Sequence, residues 1–159
     1  DESSDYACMA RPDLAQELYI QIEKSEMMGA KVILGGCKPS SGSAAFEPTI
    51  LIDVPASAPA FSEELFGPVA AVFKVKNEQE AISLANATEF GLGASLWTSD
   101  LEKGEKLASR IESGAVFINS MVASHPALPF GGIKKSGFGR ELSRQGILEF
   151  VNHKTVYLG

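Results

Sequence analysis

Only two cysteines, Cys8 and Cys37, occur in the 159 residues. That is too few for a disulfide framework, and neither sits at the Cys/His spacing of a zinc site, so no metal is expected. Free, reduced thiols are the default. No apolar stretch approaches the roughly 20 residues that a helix needs to cross a bilayer, and Asp1-Glu2-Ser3-Ser4-Asp5 has neither the basic nor the apolar segment of a secretory leader. Basic residues are in the minority. Fourteen Lys and Arg against 20 Asp and Glu leave a net charge of -6 and a pI near 5.0, and they never cluster, which argues against nucleic acid and membrane as partners. His125 and His153 have no second His or carboxylate at metal spacing and are expected at the surface or in packing. These absences leave a chain expected in the cytoplasm. No initiator Met opens it, and a polar loop leads directly to a helix, so the chain reads as a portion of a longer protein.

What is present is ordinary globular composition, 45% apolar and 21% charged, enough for one domain or part of one. Pro12 suits a first helical turn, and Leu14, Leu18, Ile22 and Met28 keep one apolar stripe until Gly29, which predicts a helix over 12–28. Val32 to Leu34 and Thr49 to Val54 read as strands joined by a Ser/Gly-rich loop. Val69 to Val75 is a third strand, followed by a helix over 77–87 with Asn77 as its cap and Glu80 at capping-box spacing. The alternation repeats with a strand at 94–98, a helix at 100–113 closed by Gly114, and a strand over Ala115 to Asn119 that reads as buried on both faces. Such alternation implies parallel pairing and an α/β class. Ser120 to Gly139, with Pro126, Pro129, Gly131, Gly132, Gly137 and Gly139, predicts a long irregular loop of the kind usually tied to function. A short helix near 141–149 and a strand over Val151 to Leu158 end the chain.

Two segments carry chemistry. One is Glu64-Leu65-Phe66-Gly67-Pro68 before an apolar strand. The other is Pro129-Phe130-Gly131-Gly132 with Lys134, Ser136, Gly137, Gly139, Arg140 and Glu141. Together, and in this order, they resemble the two strongest C-terminal signatures of the aldehyde dehydrogenase superfamily. Asn86, Gly91-Leu92 and Gly114-Ala115-Val116 fit the same pattern, so the resemblance covers nearly the whole chain. It implies a three-layer α/β/α domain with a mostly parallel sheet, of which residues 1–150 would be the C-terminal part of the catalytic domain and 151–159 a terminal strand.

The resemblance also implies roles. Glu64 would bond the nicotinamide ribose of NAD or NADP, where a carboxylate can accept two hydroxyl protons, and Phe66 would pack beside the nicotinamide and exclude water from the hydride path. Glu141 would sit at the back of the active site and assist proton relay. Phe130 would contact substrate. The stretch from Asn119 to Pro126 resembles the succinate-semialdehyde dehydrogenase branch, in which Ser124 would help hold the substrate carboxylate. Plainer readings stay open: Glu64 as a turn or cap residue, Phe66 as core, Ser124 as a turn residue, and Arg140-Glu141 as an exposed ion pair.

The family mechanism resembles thiolate attack on an aldehyde, hydride transfer, and hydrolysis by a general-base Glu with an oxyanion-binding Asn. None of those three groups is present here, nor is a Gly-rich phosphate turn. Cys8 lacks the setting of the family nucleophile, and Cys37 stands at a polar loop position; both are expected inert. The chain alone is therefore expected to bind no cofactor and turn over no aldehyde, and to work with the missing N-terminal part of the same enzyme. The alternative is a free-standing assembly domain with the same fold and no chemistry. In the family the terminal strand resembles an arm that joins the neighbouring subunit's sheet, so a homo-oligomer is expected; an edge strand of its own sheet, discouraged from other pairing by Lys154, is the rival reading.

Overall fold

The computed structural model describes residues 6–159, which divide into two units, one ending at Lys74 and the other beginning at Val75. The first unit opens on α1 (Pro12–Met27), where Pro12 occupies a first-turn position that needs no N–H. Its buried face is Ala15, Leu18, Ile22 and Ser25, a 3.6-residue stripe. The expected stripe through Leu14 and Met28 is corrected by this: Leu14 is half-buried and Met28 exposed. Small side chains at 15 and 25 let the helix lie close to its neighbours, and the two larger residues fall beside the contact.

β1 (Lys31–Leu34) runs antiparallel to β2 (Thr49–Ile52), with Lys31 opposite Ile52 and an irregularity between Val32 and Leu34. After a short helix, α2 (Pro59–Ser62), β3 (Val69–Ala71) pairs parallel to β2 with Thr49 opposite Val69. Leu18, Ile22 and Leu51 are fully buried in the core with Phe46, Val54 and Ala58, each large aliphatic contributing about 1.5–3 kcal/mol. Buried polar groups are satisfied. Ser25 Oγ donates to Gln21 O at 2.7 Å and accepts from the Ala60 N–H at 3.0 Å, which pins α2 to α1. Thr49 Oγ1 donates to Glu47 O and accepts from the Gly36 N–H, both at 2.9 Å.

The second unit begins with α3 (Glu78–Asn86). Asn77 Oδ1 accepts from the Glu80 N–H at 2.9 Å, as the capping-box spacing predicts, while the Glu80 carboxylate reaches back one residue further, to the Lys76 N–H at 2.7 Å. β4 (Phe90–Gly91) and β5 (Ala94–Leu96) follow, then α4 (Leu101–Ala108), capped by Asp100. β6 (Val116–Ile118) pairs parallel to β5, with Ala94 opposite Val116. Gly104 lets α4 press onto β6: a Cβ there would meet Thr98 Cγ2 at 3.0 Å and Ile118 Cγ2 at 3.3 Å. β7 (Ile133–Lys134) pairs antiparallel to β4, and α5 (Ser143–Leu148) is the last helix.

The class is α/β, as expected, with parallel ladders β2/β3 and β5/β6 and antiparallel ladders β1/β2 and β4/β7. Four expectations are corrected. The 100–113 helix stops at Ala108, because Asn86 takes the Arg110 carbonyl and the Glu112 N–H that further turns would use. β6 is half-buried, not enclosed on both faces, since its ladder within this unit is two strands wide. The 120–139 loop contains β7, whose two residues find a partner too far along the chain for periodicity to reveal. Val151 to Leu158 is exposed and forms no strand with the described residues, so it is not an edge strand of its own sheet.

Candidate functional site

Glu64 and Phe66 belong to the first unit, on the loop between α2 and β3. Their loop is tied down at several points. Gln21 Nε2 donates to Glu63 Oε2 at 2.8 Å and to Glu64 O at 3.3 Å. Two tight turns follow, from Gly67 N to Leu65 O and from Val69 N to Gly67 O, each 2.8 Å, and the Thr49 N–H donates to Pro68 O at 2.9 Å. These bonds hold the loop's backbone, while the Glu64 and Phe66 side chains stay outside. Phe66 is 74% exposed, so it is not core, and the Glu64 carboxylate caps no helix and meets no hydrogen-bond or ion-pair partner among the described residues. Together with Leu14, Glu17, Leu18 and Gln21 they line a depression of about 210 Å³. An anionic acceptor with its valences open, beside an uncovered aromatic face, is suited to a polyhydroxylated ring system such as a nucleotide ribose.

Phe130, Ser124 and Glu141 belong to the second unit. Phe130 and Glu141 exchange both backbone hydrogen bonds, at 2.9 and 2.7 Å, and this bridge closes the glycine-rich segment into a loop. Leu92, Phe130, Gly132, Phe138, Arg140 and Glu141 line a concavity of about 400 Å³. Close approach explains one of its glycines and one that packs against it: a Cβ on Gly132 would fall 2.4 Å from Ser136 Cβ, and one on Gly114 would fall 1.7 Å from Gly131 O. Ser124 is exposed and does not line this concavity. Arg140 and Glu141 form no ion pair, because the Arg140 guanidinium turns inward to Gly132 O at 3.0 Å and Gly139 O at 2.6 Å.

The reading by residue type missed what Lys134 and Ser136 do. Ser136 Oγ accepts from the Gly91 N–H at 2.9 Å, and Lys134 Nζ reaches Asn86 O, Thr88 O and the Glu112 carboxylate. Their place in a motif was the available signal, and their partners lie far along the chain. Cys8 and Cys37 are both free and exposed. The Glu47 carboxylate beside Cys37 pushes that thiol above its usual range, the opposite of what a nucleophile requires. No group of three potential metal ligands forms among the described residues, and none of their helices is long and apolar enough to cross a membrane.

The profile of the aldehyde dehydrogenase family matches residues 1–156. The chain belongs to the aldehyde dehydrogenase family. Within it, a Synechocystis protein described as a probable NADP(+) succinate-semialdehyde dehydrogenase is 51% identical over 98% of this chain, and an Escherichia coli NAD(P)+ succinate semialdehyde dehydrogenase is 46% identical over 99%. This chain spans 34% of the length of each. Among solved aldehyde dehydrogenases, the succinic semialdehyde dehydrogenase of Streptococcus pyogenes, in complex with NADP+, superposes with a TM-score of 0.94 at 37% identity, over 99% of this chain and 35% of that one. Betaine aldehyde dehydrogenase of Staphylococcus aureus, with NAD+, gives a TM-score of 0.87 at 30% identity, over 94% of this chain and 30% of that one. The fold is therefore common to family members with different substrates and cofactors.

Proposed function

We propose that this chain supplies the nicotinamide-ribose contact and the substrate end of an NADP+- or NAD+-dependent dehydrogenase that oxidises succinate semialdehyde to succinate. The observation that carries the reading is the open Glu64 carboxylate beside the uncovered Phe66 ring on a loop otherwise tied down. Glu64 accepts hydrogen bonds from the ribose hydroxyls, Phe66 limits the positions of the adjoining ring and excludes water, and the bound nicotinamide supplies the hydride acceptor. Phe130 and the glycine-rich loop wall the aldehyde end, with Glu141 in the proton relay and Ser124 receiving the substrate carboxylate. The semialdehyde assignment is supported by the relatives of 51 and 46% identity.

On this reading the chain acts with the thiol nucleophile and phosphate-binding turn of a longer enzyme and is inactive alone. On the same reading the enzyme works in the cytoplasm, a compartment in which thiols such as Cys8 and Cys37 stay reduced. Residues 151–159 form its oligomerisation arm. An enzyme containing this chain, assayed with NADP+ and NAD+ against succinate semialdehyde and uncharged aldehydes of similar length, should favour the semialdehyde in kcat/KM by roughly tenfold or more. Equal or inverted preference would overturn the substrate assignment, and absence of any aldehyde-dependent reduction would overturn the activity.

A further inference from the structure

Lys134 stands inside the segment that walls the proposed substrate end, yet it does not line the concavity. It donates to Asn86 O at 3.0 Å, a carbonyl left over at the C-terminal end of α3, and to Thr88 O at 3.1 Å, just past that end, and it lies 2.7 Å from Glu112 Oε2. An ammonium has three N–H groups, and three acceptors meet it here. Its side chain is only 25% exposed. Asn86 completes the arrangement: its Nδ2 donates to Arg110 O and its Oδ1 accepts from the Glu112 N–H, both at 2.8 Å. The exit of α3, the exit of α4 and β7 thus meet at one cation. A cation at a helix C-terminus is also favoured by the helix dipole.

The consequence runs along β7. Lys134 has φ of +55°, a left-handed conformation that costs a lysine energy and persists only where surrounding contacts hold it. The next residues are fixed by Lys135 N to Glu89 O at 2.9 Å and by Ser136 Oγ receiving the Gly91 N–H. Beyond them the chain turns through Gly137 and Gly139, both left-handed, to Arg140 and the Phe130–Glu141 bridge. The Lys134 anchor sets where this loop begins.

We infer that Lys134 is a positioning residue: its ammonium, locked to Asn86 O, Thr88 O and Glu112, fixes the stance of the Phe130–Glu141 loop and through it the aldehyde end of the site. It makes no contact with substrate or cofactor. The inference rests on the functional reading above, since the affected quantity is aldehyde affinity.

The test compares Lys134→Met and Lys134→Arg in the intact enzyme carrying this chain. Lys134→Met should raise KM for succinate semialdehyde by roughly tenfold while KM for the nicotinamide cofactor stays within about twofold, because Glu64 and Phe66 belong to the other unit. Lys134→Arg, which keeps a cation for the same acceptors, should recover most of the loss. Equal movement of both KM values, or a lowered melting temperature with no change in aldehyde KM, would overturn the positioning role. If Lys134→Met does not fold, Glu112→Gln carries the test: a rise of roughly threefold in aldehyde KM alone supports the inference, and an unchanged KM overturns it. A wild-type enzyme that turns over no aldehyde sinks the functional reading instead. Trypsin then decides on this chain: faster cleavage after Arg140 in Glu112→Gln than in wild type shows the anchor holding the loop, and equal rates overturn it.

Discussion

A Cβ built on Gly67 falls 2.4 Å from Leu18 Cδ2, so the loop that presents Glu64 and Phe66 is seated directly on the buried face of α1. Leu18 is almost fully buried in the core cluster, so displacing its side chain disturbs packed neighbours. Gly67→Ala is therefore expected to destabilise the chain by about 1–3 kcal/mol, the cost of overpacking. Leu18→Ala should offset part of that cost in the double variant, because it removes the colliding methyl group. Urea unfolding of the two single variants and the double checks this; strict additivity would mean that the loop does not rest on Leu18.

Glu64→Gln keeps the shape of the side chain and removes its charge. In the intact enzyme, turnover should fall by roughly tenfold or more, since a hydrogen bond to a charged group is worth about 1.5–3 kcal/mol. The melting temperature should stay put, because the Glu64 carboxylate has no partner among the described residues. An unchanged single-turnover hydride-transfer rate would remove Glu64 from the site.

The Glu47 carboxylate raises the Cys37 thiol pKa, first through the hydrogen bond and then through its charge. The sign follows directly: a raised pKa leaves less thiolate at neutral pH than an ordinary cysteine has, and alkylation accelerates only at higher pH. In a Cys8→Ser background, Glu47→Gln should bring the pKa down and speed iodoacetamide labelling of Cys37 at pH 8 several-fold. Equal labelling rates would show that Glu47 does not govern this thiol.

Asn119 combines a left-handed φ of +53° with two side-chain bonds to one residue: its Oδ1 accepts from the Thr98 N–H at 2.8 Å and its Nδ2 donates to Thr98 O at 2.7 Å. Asn119→Gly loses the bonds and keeps the conformation, whereas Asn119→Ala loses both. The alanine variant should be the less stable of the two by about 1 kcal/mol, measured by chemical denaturation. Equal stabilities would mean that the backbone there relaxes without cost.

Local signals proved legible where chemistry acts over a few residues. Pro12 opened α1, and Asn77 with Glu80 located the start of α3 to the residue. Elements set by distant partners were not legible. β7 exists because Lys134 faces Phe90 across the ladder, and α4 ends early because Asn86, far back in the chain, takes its next hydrogen bonds. The same division holds at the site. The motifs singled out Glu64, Phe66, Phe130 and Glu141, and the structure groups the first two on one loop and bridges the last two through their backbones. Residue types gave Lys134 no role, since a lysine in a glycine-rich loop looks the same whether its ammonium meets a ligand or three groups of its own chain.

Val156, Tyr157 and Leu158 each leave most of their surface in water, and no strand of the described chain receives them. Their apolar area contributes nothing to the stability of a lone molecule. If the arm engages a second copy, its contribution enters through mass action, and the thermal midpoint of the intact enzyme should climb with protein concentration. Removing residues 151–159 should abolish that dependence and lower the mass seen by light scattering, whereas an oligomer that survives the deletion would place its assembly contacts elsewhere. An arm engaged in this way would make stability a property of the population and not of the single chain.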